Sequence, residues 1–118
     1  MATKKQEVIK TYQVHEGDIV DNYDNTTQCS NATTAMNVLD TTSIRYATCP
    51  GNHDSNYGTS YTNYASNFGF SRYNGKPGFL ATPAGSNNCL AMTFQAGSRQ
   101  FLSLSLDSFD ASNSITFA

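Results

Sequence analysis

Three features of this 118-residue chain predict an α/β fold. Two short strand-like runs each lead into a glycine, an amphipathic helical stripe lies between them, and a later pair of apolar runs flanks a glycine turn. Strand, helix, strand is a βαβ unit and implies parallel pairing with a right-handed crossover. The expected architecture is a partial sheet: parallel strands near residues 11–16 and 44–49, a further helix, then an antiparallel hairpin across residues 90–106.

Each element has its own signal. Residues 4–9 read as the end of a helix. Tyr12 and Val14 alternate with polar neighbours and lead into Gly17, a strand pattern. Ala32, Ala35, Met36 and Leu39 fall at i, i+3, i+4 and i+7, one helical stripe, with Thr27 or Ser30 available as its cap. Residues 44–49 form the second strand, β-branched and aromatic in part, closed by Pro50-Gly51. Tyr61, Tyr64, Ala65 and Phe68 repeat the helical spacing, which assigns the aromatic residues here to packing rather than to a carbohydrate or nucleobase platform. Gly69 stands where a C-terminal cap would. Residues 72–88 are rich in Gly, Pro and Asn and are expected to be an irregular loop. Leu90 to Gln95 and Gln100 to Leu106 flank Ala96-Gly97-Ser98-Arg99, a hairpin connection. Residues 110–118 read as the start of another helix. Internal repeats and a second domain are absent from the sequence.

Composition narrows the function classes. A formal charge of −2, with no basic cluster beyond Lys4-Lys5, argues against an electrostatic nucleic-acid or membrane-surface partner. No apolar run approaches the ~18 residues of a membrane span. Abundant Ser, Thr and Asn with few charges is a balance commoner in exported proteins, although the first residues carry no apolar signal segment. Cys29, Cys49 and Cys89 fit neither a disulfide framework nor a zinc ribbon, and Cys49 reads as a small buried hydrophobe. Asn25-Thr26-Thr27 and Asn31-Ala32-Thr33 match glycosylation sequons but read as loop and cap residues.

Two strings carry the chemistry: Gly17-Asp18-Ile19-Val20-Asp21-Asn22 and Gly51-Asn52-His53-Asp54. Each sits at a strand exit, the place where α/β sheets gather ligands. Asp18 and Asn52 are 34 residues apart, with strand before each and an amphipathic helix between. Together the strings resemble the second and third signature motifs of the calcineurin-like metallophosphoesterases, which hydrolyse phosphate esters with two metal ions. The resemblance covers most of the chain, from about Tyr12 on, because residues 63–72 and 87–107 also read like bacterial members.

The resemblance implies that Asp18 bridges two divalent ions and that Asn52 ligates one of them. It implies that His53 contacts the phosphate and protonates the leaving alkoxide, with Asp21 as the imidazole's partner. Two ions roughly 3.5–4 Å apart would activate a water and offset the charge of the phosphoryl group. His15 beside Glu16 is taken as a surface or satisfied strand histidine. Asp107 and Asp110 lack the spacing of a calcium loop and are taken as solvated loop carboxylates.

The chain departs from the family pattern elsewhere. No Asp-x-His precedes Gly17, and no histidine follows His53; the chain has two, His15 and His53. Residues 1–118 therefore read as a single incomplete phosphoesterase domain lacking the opening strand and the C-terminal half. The chain alone is expected to be inactive and to hold at most one divalent ion. A catalytically dead truncated product, or a non-enzymatic binding module on the same sheet, is the alternative. Asn22-Tyr23 after the second aspartate, and Asp54 in place of glutamate, are unlike the protein-phosphatase branch. The resemblance implies a phosphate-ester substrate, mono- or diester, and in the complete enzyme two divalent ions from among Mn, Fe, Zn and Co. A missing first strand would leave an apolar sheet edge open to self-association.

Overall fold

The computed structural model describes residues 12–83 and 87–112. It is mixed α/β. β1 (Tyr12–His15) and β2 (Arg45–Thr48) pair in parallel, with Tyr12 opposite Arg45 and His15 opposite Thr48. α1 (Thr26–Asp40) connects them. Then come α2 (Asn52–Ser55), α3 (Thr62–Phe68) and α4 (Phe70–Tyr73). β3 (Phe79–Ala81), β4 (Leu90–Ala96) and β5 (Arg99–Ser105) form an antiparallel sheet in that order. No helix among the described residues is long and apolar enough to cross a membrane.

The βαβ unit, the helix over Tyr64 and Phe68 and the hairpin match the expected elements. The hairpin turn is tighter than expected. Ala96 pairs with Arg99, so only Gly97 and Ser98 connect the strands, and Gly97 takes φ +61° at the first position, where glycine is favoured.

Several details differ from the sequence reading. α1 is capped by Asn25, whose Oδ1 accepts the Gln28 N–H at 3.1 Å, because the helix starts one residue before Thr27. Its inner face is Cys29, Ala32, Thr33, Met36 and Leu39, while Ala35 is exposed. Gly69 does not take a left-handed cap conformation; its φ is −84°. It is glycine because a Cβ there would lie 2.8 Å from the Asn87 Cβ. Residues 72–88 are not a continuous irregular loop. They contain the end of α4 and all of β3, which pairs Phe79 with Met92 before a bulge. A three-residue strand is too short for periodicity to reveal. The helix expected at residues 4–9 lies outside the described residues, and of the one expected after Asp110 only Ala111 and Ser112 are described, both helical.

The core joins the two sheets. Tyr46, Ala47, Tyr73, Leu90 and Met92 form the buried cluster, with Tyr12, Met36, Leu39 and Phe79 packed against it. Arg45 donates to the Thr93 carbonyl at 2.9 Å, and the Tyr12 and Phe94 rings stack at 4.3 Å, so β2 and β1 are each tied to β4. Inside this core the Thr48 hydroxyl is shared by the Tyr64 hydroxyl at 3.1 Å and the Tyr73 hydroxyl at 2.8 Å. The hydroxyls of three buried side chains thereby satisfy one another.

A polar cluster fastens the end of α1 to α4. The Asp40 carboxylate accepts from the Tyr46 hydroxyl at 2.6 Å, from Arg72 at 3.0 Å and from Lys76. Arg72 also donates to the Tyr46 hydroxyl at 2.6 Å and to Asn37 at 3.2 Å, and its side chain is only 7 % exposed. Partial burial works to raise the Asp40 carboxyl, but the hydrogen bonds from Lys76 and Tyr46 and the Arg72 charge outweigh it and hold the group below its ordinary value.

A lowered carboxylate contributes stability that is present above its unfolded pKa of ~3.9 and is lost as pH falls through the folded value. In urea unfolding the Asp40 contribution should therefore be level from neutral pH to about pH 5 and fall away below about pH 4. Asp40→Asn should flatten part of that acid limb. Arg72→Met should cost about 2 kcal/mol at neutral pH, below the range for a fully buried pair because Asp40 is partly solvated. An acid limb identical in Asp40→Asn and the parent would contradict the assignment.

Candidate functional site

The in-register pairing of β1 with β2 sets both strand exits side by side, and the two strings meet there. Gly17 (φ +104°) and Asp18 (φ +51°) are consecutive left-handed residues that turn the chain sharply after β1. A Cβ on Gly17 would lie 2.6 Å from the Gly51 nitrogen, so the first string is in backbone contact with the second. A Cβ on Gly51 would run into the Asp18 carboxylate. Neither glycine can be replaced without moving the strings apart. Asp18, a non-glycine residue at positive φ, is held by its own side chain: Oδ1 accepts the His53 N–H at 3.1 Å.

Asp54 clasps the two strings. It is buried; Oδ1 accepts the Val20 N–H at 3.0 Å and Oδ2 accepts the Gly51 N–H at 2.8 Å. Gln28 steadies the first string from α1, its Oε1 accepting the N–H groups of Asp21 at 3.0 Å and Asn22 at 2.8 Å. Asn63 of α3 donates to the Tyr23 carbonyl at 2.8 Å.

His53 is brought against Asp21, but the nearer contact is to the backbone. Nδ1 donates to the Asp21 carbonyl oxygen at 2.7 Å, while the Asp21 carboxylate Oδ1 lies at 3.5 Å. That bond selects the tautomer with the proton on Nδ1 and leaves Nε2 as the exchangeable position. The Asp21 carbonyl, more than it loses to desolvation, raises the imidazole above its ordinary value, with Asp18 and then the Asp21 carboxylate adding to it. The Asp21 side chain is 76 % exposed, so its ion pair with His53 is well screened by water.

A cavity of about 220 Å³ opens beside this pair, lined by Asp21, Asn22, Tyr23, Asn52, His53, Asn56 and Tyr57. Three of the four residues assigned from sequence, Asp21, Asn52 and His53, line it, and Asp18 adjoins through its bond to His53. Asp54, Gln28, Tyr23, Asn56 and Tyr57 belong to the site as well, although no part in it was assigned to them from sequence. Asp54 carried a legible signal, since a carboxylate three residues after a helix cap reaches back to the cap N–H. Gln28 and the aromatic residues carried none.

The neighbouring residues resolve differently from their sequence reading. His15, expected to be a surface or satisfied strand histidine, is half-buried, and its Nδ1 makes no hydrogen bond among the described residues. Asp107 is buried rather than solvated, with Oδ1 accepting the Phe109 N–H at 2.9 Å. None of the three cysteines forms a disulfide. Burial, followed by the charges of Asp107, Glu16 and Asp54, pushes the Cys49 thiol up, leaving it protonated and unreactive. Among the described residues no three His, Cys, Asp or Glu side chains converge as a metal cluster.

No protein-family model, curated protein or solved structure matches this chain.

Two measurements check the geometry. In metal-free protein, NMR titration should place His53 above the ordinary imidazole value, and Asp18→Asn should bring it down. A raised histidine contributes stability that is full below its unfolded pKa of ~6.5 and is lost as pH rises through the folded value. Gly51→Ala should cost about 1–3 kcal/mol and reduce the His53 shift, because the methyl displaces the Asp18 carboxylate. A His53 titration unchanged in Gly51→Ala would refute the packed-string geometry.

Proposed function

We propose that this chain carries part of a metal-dependent phosphoester hydrolase site. The observation that supports this most is the joint placement of Asp18 and His53 at the paired strand exits, where the two glycines touch. That arrangement offers an oxygen donor for a metal and a proton donor for a leaving group within one constellation.

The donor set fits a divalent ion in part. The Asp18 carboxylate and the Asn52 amide are oxygen donors from the two strings, and the side-chain-free Gly51 gives the carboxylate room against the second string. Two such groups can hold one ion weakly and do not assemble a dinuclear centre. A bound ion would supply an activated water and offset phosphoryl charge. His53 holds the proton that a leaving alkoxide needs, and the Asp21 carbonyl fixes the ring's orientation. Asp54 and Gln28 keep the strings in register and touch no substrate. Asn22, Asn52 and Asn56 line the cavity with neutral amides, which offer hydrogen bonds without repelling a phosphate.

Manganese titration followed by NMR tests the metal half. Line broadening should appear first at Asp18 and Asn52, with no more than one ion bound, and Asp18→Asn should remove it. Broadening elsewhere, or two ions bound stoichiometrically, would overturn the partial-site reading, as would robust aryl phosphate hydrolysis by the chain alone. In an enzyme form that turns over, His53→Ala should lower kcat on an alkyl phosphate by about 10²–10⁴-fold and far less on an activated aryl phosphate. Asp21→Asn should lose less than His53→Ala, since the carbonyl that holds the ring survives. Equal losses on both substrates for His53→Ala would sink the proton-donor role.

A further inference from the structure

Tyr57 is the residue at the cavity that folding does not explain. It has φ +54° and sits between Asn56 at φ +47° and Gly58 at φ +82°, three consecutive left-handed residues. Asparagine and glycine adopt that conformation readily; a bulky aromatic there is an outlier. Its burial offers little in return, because Tyr57 is 68 % exposed.

The surroundings nonetheless hold it firmly. The Tyr57 N–H donates to the Asn52 carbonyl at 3.0 Å, and the Gly58 N–H donates to the Ser55 hydroxyl at 3.2 Å. Asn56 and Thr59 bond each other through side chain and backbone, both at 2.8 Å. Phe109 packs against Gly58, where a Cβ would lie 2.6 Å from the Phe109 Cβ, and its ring meets Tyr57 at 6.1 Å and 82°. A single T-shaped contact covers one side of the ring and leaves the rest open. Strain held in place by a bonded loop beside a cavity is the pattern of a ligand contact.

Tyr23 lines the same cavity, its backbone anchored by Asn63. His53 and Asp21 line it together with the two tyrosines. At about 220 Å³ the cavity is below the ~300–1,000 Å³ of pockets for drug-sized ligands, which limits the occupant to a small group. We propose that Tyr57, which shares this cavity with Tyr23 and His53, selects phosphoesters with a planar aromatic leaving group by stacking on that group. The inference rests on the phosphoester reading of the site. A group accepting a proton from His53 lies in the cavity that His53 lines, and aromatic faces favour a flat ring over a saturated one.

The test is NMR titration of the 118-residue chain with phenyl phosphate, cyclohexyl phosphate, phenol and inorganic phosphate. Phenyl phosphate should bind about tenfold more tightly than cyclohexyl phosphate, the effect of one aromatic stack, with ring-current shifts at Tyr57. Tyr57→Phe should keep that preference. Tyr57→Asn should abolish it while raising Tm, since asparagine suits the left-handed backbone, and the higher Tm certifies that the variant folds. Equal binding of the phenyl and cyclohexyl esters, or a preference that survives Tyr57→Asn, would overturn the proposal and leave the phosphate reading intact. Phenyl phosphate binding no better than phenol, with inorganic phosphate leaving His53 unmoved, would instead defeat the phosphoester reading and the leaving-group role with it.

Discussion

The parallel pairing of β1 with β2 in one register, His15 opposite Thr48, is the constraint on which the rest of the site depends. Gly17 follows His15 by two residues and Gly51 follows Thr48 by three, so the two turns arrive at the same height with their backbones in contact. A slip of one residue would turn every side chain of a strand to the opposite face and draw the two glycines apart. The register is secured from the core side, where Tyr46 and Ala47 are buried beneath β4 and Thr48 is tied to Tyr64 and Tyr73. It is secured at the exits by Asp54, which reaches the backbone of both strings.

Two groups of carboxylates in this small protein are handled in opposite ways. Asp40 is surrounded by donors, with Arg72, Lys76 and the Tyr46 hydroxyl all bonding to it. Little of its capacity remains for anything else, and its effect is to fasten α1 to α4. Among the described residues Asp18 accepts one N–H, that of His53, although an ionised carboxylate can accept about four hydrogen bonds. Asp21 is exposed and engages Asn22 at 3.1 Å and His53 at 3.5 Å. The Asp40 cluster is a saturated structural joint, whereas Asp18 and Asp21 are less fully engaged among the described residues.

The backbone shows the same division. The Asn25 cap, the Gly97 turn and the Gly69 junction use residues suited to their conformations. Among the described residues the non-glycine positions at positive φ are Asp18, Asn56 and Tyr57; the latter two line the His53 cavity and Asp18 bonds to His53. Departures from local consistency gathering at one place in a fold mark function more often than error.

How much of this was legible depends on the range of the interaction involved. The βαβ order, the amphipathic α1, the buried aromatic face of α3, the hairpin and the strand exits that carry the two strings could all be read from the residues. Those follow from periodicity and turn chemistry, which act within a few residues. Only the tertiary structure decided that the imidazole rests on the Asp21 carbonyl rather than its carboxylate, since the two acceptors belong to one residue and differ only in distance. It also decided that Asp107 is buried, that β3 exists as a three-residue partner of β4, and that Arg72 and Asp40 form a joint across 32 residues. These depend on which distant segments pack together, and no local pattern encodes the strength of a contact whose partner lies elsewhere in the chain.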